Sequence, residues 1–194
     1  MEEVGARYDV VGVDPRFVGR STPLDCHWPT GSMVRGAGGD RAGFDRMVAF
    51  PADLARRCRT HAGDLLPYAT TRDTARDMDV IRAALGEHRI SYLGYSYGSY
   101  PALSGTRRGN VRRRSAATPP ALLVNATGDP RTTYQSAQAV HRRWPSSRLV
   151  TLRGADQHPV YGVFGSSCVD AAVNAYLADG RPPASDITCL RPTA

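Results

Sequence analysis

Ser96 stands in the run Gly94-Tyr95-Ser96-Tyr97-Gly98, a serine with glycines two positions to either side. Glycines at those places suit a sharp strand-to-helix turn that lifts the serine out of the fold. A serine hydroxyl is a poor nucleophile at neutral pH. It needs a neighbouring base, usually histidine, oriented by a carboxylate. Asp129 and His158 follow Ser96 in that order. Asp129 comes just after an apolar run and His158 in the loop after the next one. Taken singly, Asp129 is also an ordinary turn aspartate ahead of Pro130, and His158 a surface-loop histidine. The shared order and placement favour the catalytic reading of both. His27, His61, His88 and His141 lack such placement and read as structural or surface residues.

These groups need elements to hold them. Tyr8-Asp9-Val10-Val11-Gly12-Val13 reads as a buried strand that ends at Asp14-Pro15. Gly31 to Gly43 reads as a loop. Pro51 fits a first helical turn, with Leu54, Cys58 and Ala62 on one face. Thr71 is placed to cap a second helix, with Asp73 in its first turn. Ala75, Met78, Ile81 and Leu85 make its apolar stripe, and Gly86 ends it.

Ile90-Ser91-Tyr92-Leu93-Gly94 is the strand that delivers Ser96. Ala121-Leu122-Leu123-Val124-Asn125 delivers Asp129, and Arg148-Leu149-Val150-Thr151-Leu152 precedes His158. A helix carrying Thr133, Ala137, Val140 and Trp144 lies between those two strands. Val169, Ala172, Val173 and Tyr176 mark a last helix, closed by Gly180. Alternating strands and helices predict an α/β fold with a mostly parallel sheet covered by helices. Open sheets of that kind carry their sites at the carboxyl ends of the strands, where Asp129 and His158 fall.

Ser104 to Pro120 breaks the alternation. It has no periodicity and holds Arg107-Arg108 and Arg112-Arg113-Arg114, and so reads as a connector. The chain therefore divides into residues 1–103, which carry the nucleophile turn, the Arg-rich connector 104–120, and residues 121–194, which complete the same core.

The 194 residues suffice for one domain with a real core. All 25 Lys-plus-Arg residues are arginine, giving a formal net charge of +7. The arginines are mostly scattered and lack interleaved aromatics, so nucleic-acid binding is not expected. No run approaches the roughly 20 apolar residues of a membrane span. Met1-Glu2-Glu3-Val4-Gly5 is acidic and lacks the apolar core of a signal peptide. No cofactor or metal motif is read. Cys26, Cys58, Cys168 and Cys189 show no C-x-x-C spacing, and as a set of four allow three disulfide pairings or four free thiols.

The runs Tyr8 to Arg16, Gly19-Arg20-Ser21-Thr22-Pro23 and Gly94 to Ser99 resemble the tripeptidyl aminopeptidase-like branch of the α/β-hydrolases. So does the tail, from Pro120 to Val124 through Asp129, His158, Cys168 and Tyr176-Leu177 to Cys189. The resemblance implies Ser96, Asp129 and His158 as a triad and Cys26–Cys58 and Cys168–Cys189 as disulfides. It implies an extracellular or cell-envelope setting, whereas the lack of a signal peptide leads to a cytoplasmic expectation for the chain as it stands. It implies a peptide substrate, with a small ester as the alternative. The implied reaction is acyl transfer near a free N-terminus. Serine attacks the carbonyl, histidine moves the proton, and water releases the acyl-enzyme.

The sequence also departs from that pattern. Family members carry a strand and a Gly-Gly-Pro-Gly-type loop ahead of the Tyr8 run. That loop supplies one oxyanion-hole N–H, and the N–H of Tyr97 supplies the other. Losing one donor costs about 10²–10³ in rate. Family members also place a strand and a helical cap where the connector stands. Phe17 replaces the glycine of the Asp-Pro-Arg-Gly turn, Pro101 falls early in the serine helix, and Ala155-Asp156-Gln157 precedes His158 where a glycine-rich step is common. The expectation is a gene model truncated at its start and deleted or frameshifted near Ser104. An impaired hydrolase remnant and a small capless esterase stand beside the peptidase as alternatives.

Overall fold

The computed structural model describes residues 2–29, 36–102 and 119–191. Nearly all of the predicted connector, and residues 31–35 of the glycine-rich loop, lie outside the described residues. The chain forms two compact units, residues 12–78 and residues 1–11 with 79–194.

In the first unit, helix α2 spans Arg41–Ala62 (α1 is the single turn Glu2–Gly5). It starts ten residues before Pro51, earlier than the proline suggested. The start is set by Asp40, whose carboxylate accepts the Gly43 N–H at 2.6 Å and satisfies a free donor of the first turn. Pro51 therefore lies mid-helix, where its ring leaves one carbonyl without an amide partner. Leu54, Cys58 and Ala62 are buried as their spacing predicts. They face a small cluster with Cys26, Leu24 and Leu66, cross-linked by the Cys26–Cys58 disulfide.

A 3-10 turn, Leu66–Tyr68, leads to helix α3, Thr71–Ala84. Its cap is Thr70 rather than Thr71: Thr70 Oγ1 accepts the Asp73 N–H at 3.1 Å and donates to the Asp73 carboxylate at 2.7 Å. Arg16 holds this region by a two-pronged pair with Asp77, both contacts at 2.6 Å, and donates to the Tyr68 carbonyl at 2.9 Å. The α3 stripe is only half-buried, and Leu85 is exposed. Gly86, at φ +74°, ends the helix as expected.

The second unit holds the sheet. Strands β1 (Ala121–Ala126), β2 (Ser147–Arg153) and β3 (Ile187–Leu190) are parallel in the order β1-β2-β3. Val124 pairs with Val150, and Leu152 with Cys189. Helix α4, described for residues 99–102, follows the serine turn, and Pro101 falls in its first turn, where proline is tolerated. Helices α5 (Tyr134–Arg143) and α6 (Ser167–Asp179) make the two crossovers and pack on the sheet. Ala126, Val150, Leu152, Val169, Val173 and Cys189 form the core. Ser166 caps α6 at its start, and Gly180, at φ +66°, closes it. The Cys168–Cys189 disulfide fastens α6 to β3.

Two predicted strands do not form. Residues 8–13 and 90–94 join no sheet. Val10 and Val11 are 67% and 54% exposed. A strand exists only through a neighbour that takes its backbone donors and acceptors, and among the described residues neither segment has one. Strand β3 is the converse case. Four residues long, it follows Pro182-Pro183 and was not predicted.

Candidate active site

Tyr95 is extended (φ −100°, ψ 146°), and the chain then reverses through a 3-10 turn at Ser96–Gly98. Ser96 sits at φ +51°, a left-handed conformation that costs a non-glycine residue about 1–2 kcal/mol. A side chain at Gly94 would lie 2.6 Å from the Gly98 carbonyl oxygen, so the turn requires glycine there. Gly98 differs: a Cβ would meet nothing closer than the Tyr92 hydroxyl at 3.6 Å. That hydroxyl donates to the Gly98 carbonyl at 2.7 Å and braces the turn.

Asp129 leaves the carboxyl end of β1. The ends of β1 and β2 are stitched by Thr127 N–H to the Leu152 carbonyl (3.0 Å) and Gly128 N–H to the Ala155 carbonyl (2.8 Å). The Asp129 side chain is 3% exposed and that of His158 11%. His158 Nδ1 stands 2.7 Å from Asp129 Oδ2. Asp129 Oδ1 accepts the N–H groups of Arg131 (2.8 Å) and Thr132 (3.0 Å), and Oδ2 accepts the Thr132 hydroxyl at 2.7 Å. Burial alone would push this carboxyl up. The donors from His158, Thr132 and Arg131 outweigh burial and hold it at about 2. Asp129 is thus ionised at neutral pH. It accepts from His158 Nδ1–H and leaves Nε2 as the basic nitrogen.

The sequence-predicted residues are therefore brought together in part. Asp129 and His158 are paired, whereas no hydrogen bond joins Ser96 Oγ to His158. The serine turn reaches the histidine loop by another route: Tyr95 donates its hydroxyl to the Tyr161 carbonyl at 3.0 Å. Tyr161 is 3% exposed and donates in turn to Asn174 Oδ1 at 2.7 Å. Both cysteine pairs implied by the resemblance are disulfides. Among the described residues, no cluster of three or more His, Cys, Asp or Glu is arranged to bind a metal.

Two features escaped sequence reasoning. The first is Thr132, which the run Asp129-Pro130-Arg131-Thr132 marks only as a turn residue. The second is another Ser, His, Asp set. His141 Nδ1 is 2.7 Å from Ser147 Oγ, and its Nε2 is 3.1 Å from Asp186 Oδ2. Ser147 is fully buried and donates to the Trp144 carbonyl at 2.7 Å, so it offers no nucleophile to a substrate. This set fastens the end of α5 to β2 and to the approach to β3.

Residues 2–104, just over half of the chain, match the alpha/beta hydrolase fold family, and the chain belongs to it. Residues 101–189 match the family described as TAP-like protein. A tripeptidyl aminopeptidase of Streptomyces lividans is 43% identical over 100 residues, covering 48% of this chain and 18% of that protein. The serine protease Hip1 of Mycobacterium tuberculosis is 34% identical over 110 residues, covering 50% of this chain and 20% of its own length. Carboxylesterase B of the same species is 39% identical over 68 residues, covering 35% and 12%. The matched regions span at most about a fifth of these relatives. The chain is of the α/β-hydrolase type. Its two disulfides fit an oxidising compartment, and among the described residues no helix is long and apolar enough to cross a membrane.

Proposed function

We propose that the chain carries the serine-hydrolase site of an aminopeptidase-like enzyme, with Ser96 as nucleophile, His158 as general base and acid, and Asp129 as the group that orients it. The observation that carries this reading is the 2.7 Å contact between a buried, ionised Asp129 and His158 Nδ1. In this scheme Nε2 takes the proton from Ser96 Oγ as the hydroxyl attacks an acyl carbon. The resulting imidazolium is stabilised by Asp129 and returns the proton to the leaving group. The N–H of Tyr97, next to Ser96, is the oxyanion donor. Water then attacks the acyl-enzyme by the reverse proton path.

Ser96 Oγ must come within hydrogen-bond reach of His158 for this to work, and such contacts are often looser before substrate binds. The substrate class is a peptide with a free N-terminus. The names of the tripeptidyl aminopeptidase and serine protease relatives support it. A second reading, hydrolysis of small esters without a cap, is favoured by the match to a carboxylesterase.

A fluorophosphonate probe tests the site directly. Labelling is expected in the unaltered chain and lost, by at least about 10³-fold, in Ser96→Ala. Equal labelling in both removes Ser96 as nucleophile. Turnover of N-terminal tripeptide amides against short acyl esters then separates peptidase from esterase.

A further inference from the structure

We propose that Thr132 is a positioning residue for His158: its hydroxyl fixes the imidazole tautomer and ring orientation from the side opposite catalysis. The inference rests on the reading of Ser96, Asp129 and His158 as one site. Thr132 Oγ1 lies 2.7 Å from Asp129 Oδ2 and 3.1 Å from His158 Nδ1. A hydroxyl has one proton to give. Asp129 Oδ2, a carboxylate oxygen, has none and must receive it. The threonine oxygen then presents only lone pairs to His158, as Asp129 Oδ2 does at 2.7 Å.

Two acceptors converging on Nδ1 are satisfied only if Nδ1 carries the proton, shared between them as a three-centre bond. The neutral ring is thereby held with its lone pair on Nε2. Were Nδ1 unprotonated, Thr132 would have to turn its proton to it, and Asp129 Oδ2 would face a bare nitrogen at contact distance. A single acceptor leaves the ring free to pivot about that bond. Two acceptors from separate residues define its plane.

Thr132 is itself held at three points. Its N–H donates to Asp129 Oδ1 at 3.0 Å, its hydroxyl to Asp129 Oδ2, and its carbonyl accepts Asn125 Nδ2 at 3.0 Å. Asn125 is 7% exposed and lies in β1. A continuous chain of hydrogen bonds thus runs from the sheet through Asn125 and Thr132 to Asp129 and His158. It ties the histidine to a rigid element, although the histidine itself sits in a loop.

The test uses the full chain, with the downfield proton resonance of His158 Nδ1–H, assigned by its loss in His158→Gln. Thr132→Val removes the hydroxyl and keeps the shape. It is expected to speed solvent exchange of that proton by roughly tenfold or more and to slow fluorophosphonate labelling of Ser96 by roughly ten- to a hundredfold, the loss of one hydrogen bond to a charged group. Thr132→Ser keeps the hydroxyl and is expected to preserve both readouts. A folded Thr132→Val with the resonance and labelling rate of the unaltered chain overturns the proposal. So does a folded Thr132→Ser that loses the resonance, which also decides the matter if the valine variant does not fold. Absence of the resonance from the unaltered chain overturns the Asp129–His158 pairing and this proposal with it. If the unaltered chain shows the resonance but takes up no probe, only the hydrolase reading fails, and the exchange measurements alone judge Thr132.

Discussion

Asp129 provides a stability signal that can be read without any substrate. Its folded-state pKa is about 2, below the ordinary value of 3.8. Above about pH 5 the carboxylate is ionised in folded and unfolded chains alike, and its hydrogen bonds contribute fully. As the pH falls, the unfolded chain binds a proton first, near 3.8, and the folded chain only near 2. The contribution is therefore lost across that window, and it is lost on acidification and not on raising the pH. The difference of nearly two pH units corresponds to about 2 kcal/mol. The side chain is almost fully enclosed, so solvent screening takes little from that figure.

The perturbation is Asp129→Asn. The amide accepts fewer of the converging donors, and its NH₂ group opposes one of them. The variant is expected to be less stable at pH 6 by about 2–3 kcal/mol, the cost of breaking charge-assisted bonds at a buried site. Urea unfolding followed by circular dichroism, at half-unit steps from pH 6 to pH 2, measures the free energy of both proteins. The gap between them is expected to narrow by about 2 kcal/mol on going from pH 5 to pH 2. A gap that stays constant over that range refutes the assignment of an ionised, donor-saturated Asp129.

Two further outcomes follow from backbone geometry. Gly94→Ala places a carbon 2.6 Å from the Gly98 carbonyl oxygen and is expected to abolish probe labelling of Ser96, whereas Gly98→Ala meets nothing closer than 3.6 Å and is expected to label within a few-fold of the unaltered chain. Phe17 occupies a left-handed conformation at φ +66°, so Phe17→Gly is expected to melt higher than Phe17→Ala, by the equivalent of about 1 kcal/mol, the reverse of the usual order for these residues.

The features legible in the sequence are those with a local cause. Helix ends at Gly86 and Gly180 need only a residue at ease at positive φ, and glycine announces itself. The inward face of α2 follows from the spacing of Leu54, Cys58 and Ala62. Asp129 and His158 each follow an apolar strand in the sequence, and the two side chains are hydrogen-bonded in the fold. The disulfide pairings came through family resemblance, since four cysteines do not choose their partners by spacing.

Tertiary structure decided the rest. Residues 8–13 and 90–94 have strand composition and form no strand, because ladder hydrogen bonds are supplied by another segment and composition carries no information about whether that segment is there. Thr132 looked like a turn residue because its role depends on His158, 26 positions away, being folded against it. Tyr95 acquired its bond to the Tyr161 carbonyl in the same way. The identity of each chemically competent side chain was written in the sequence. Which lone pair faces which proton was set only when non-local segments packed, because a hydrogen bond of 2.7 Å depends on positions that no single stretch of chain controls.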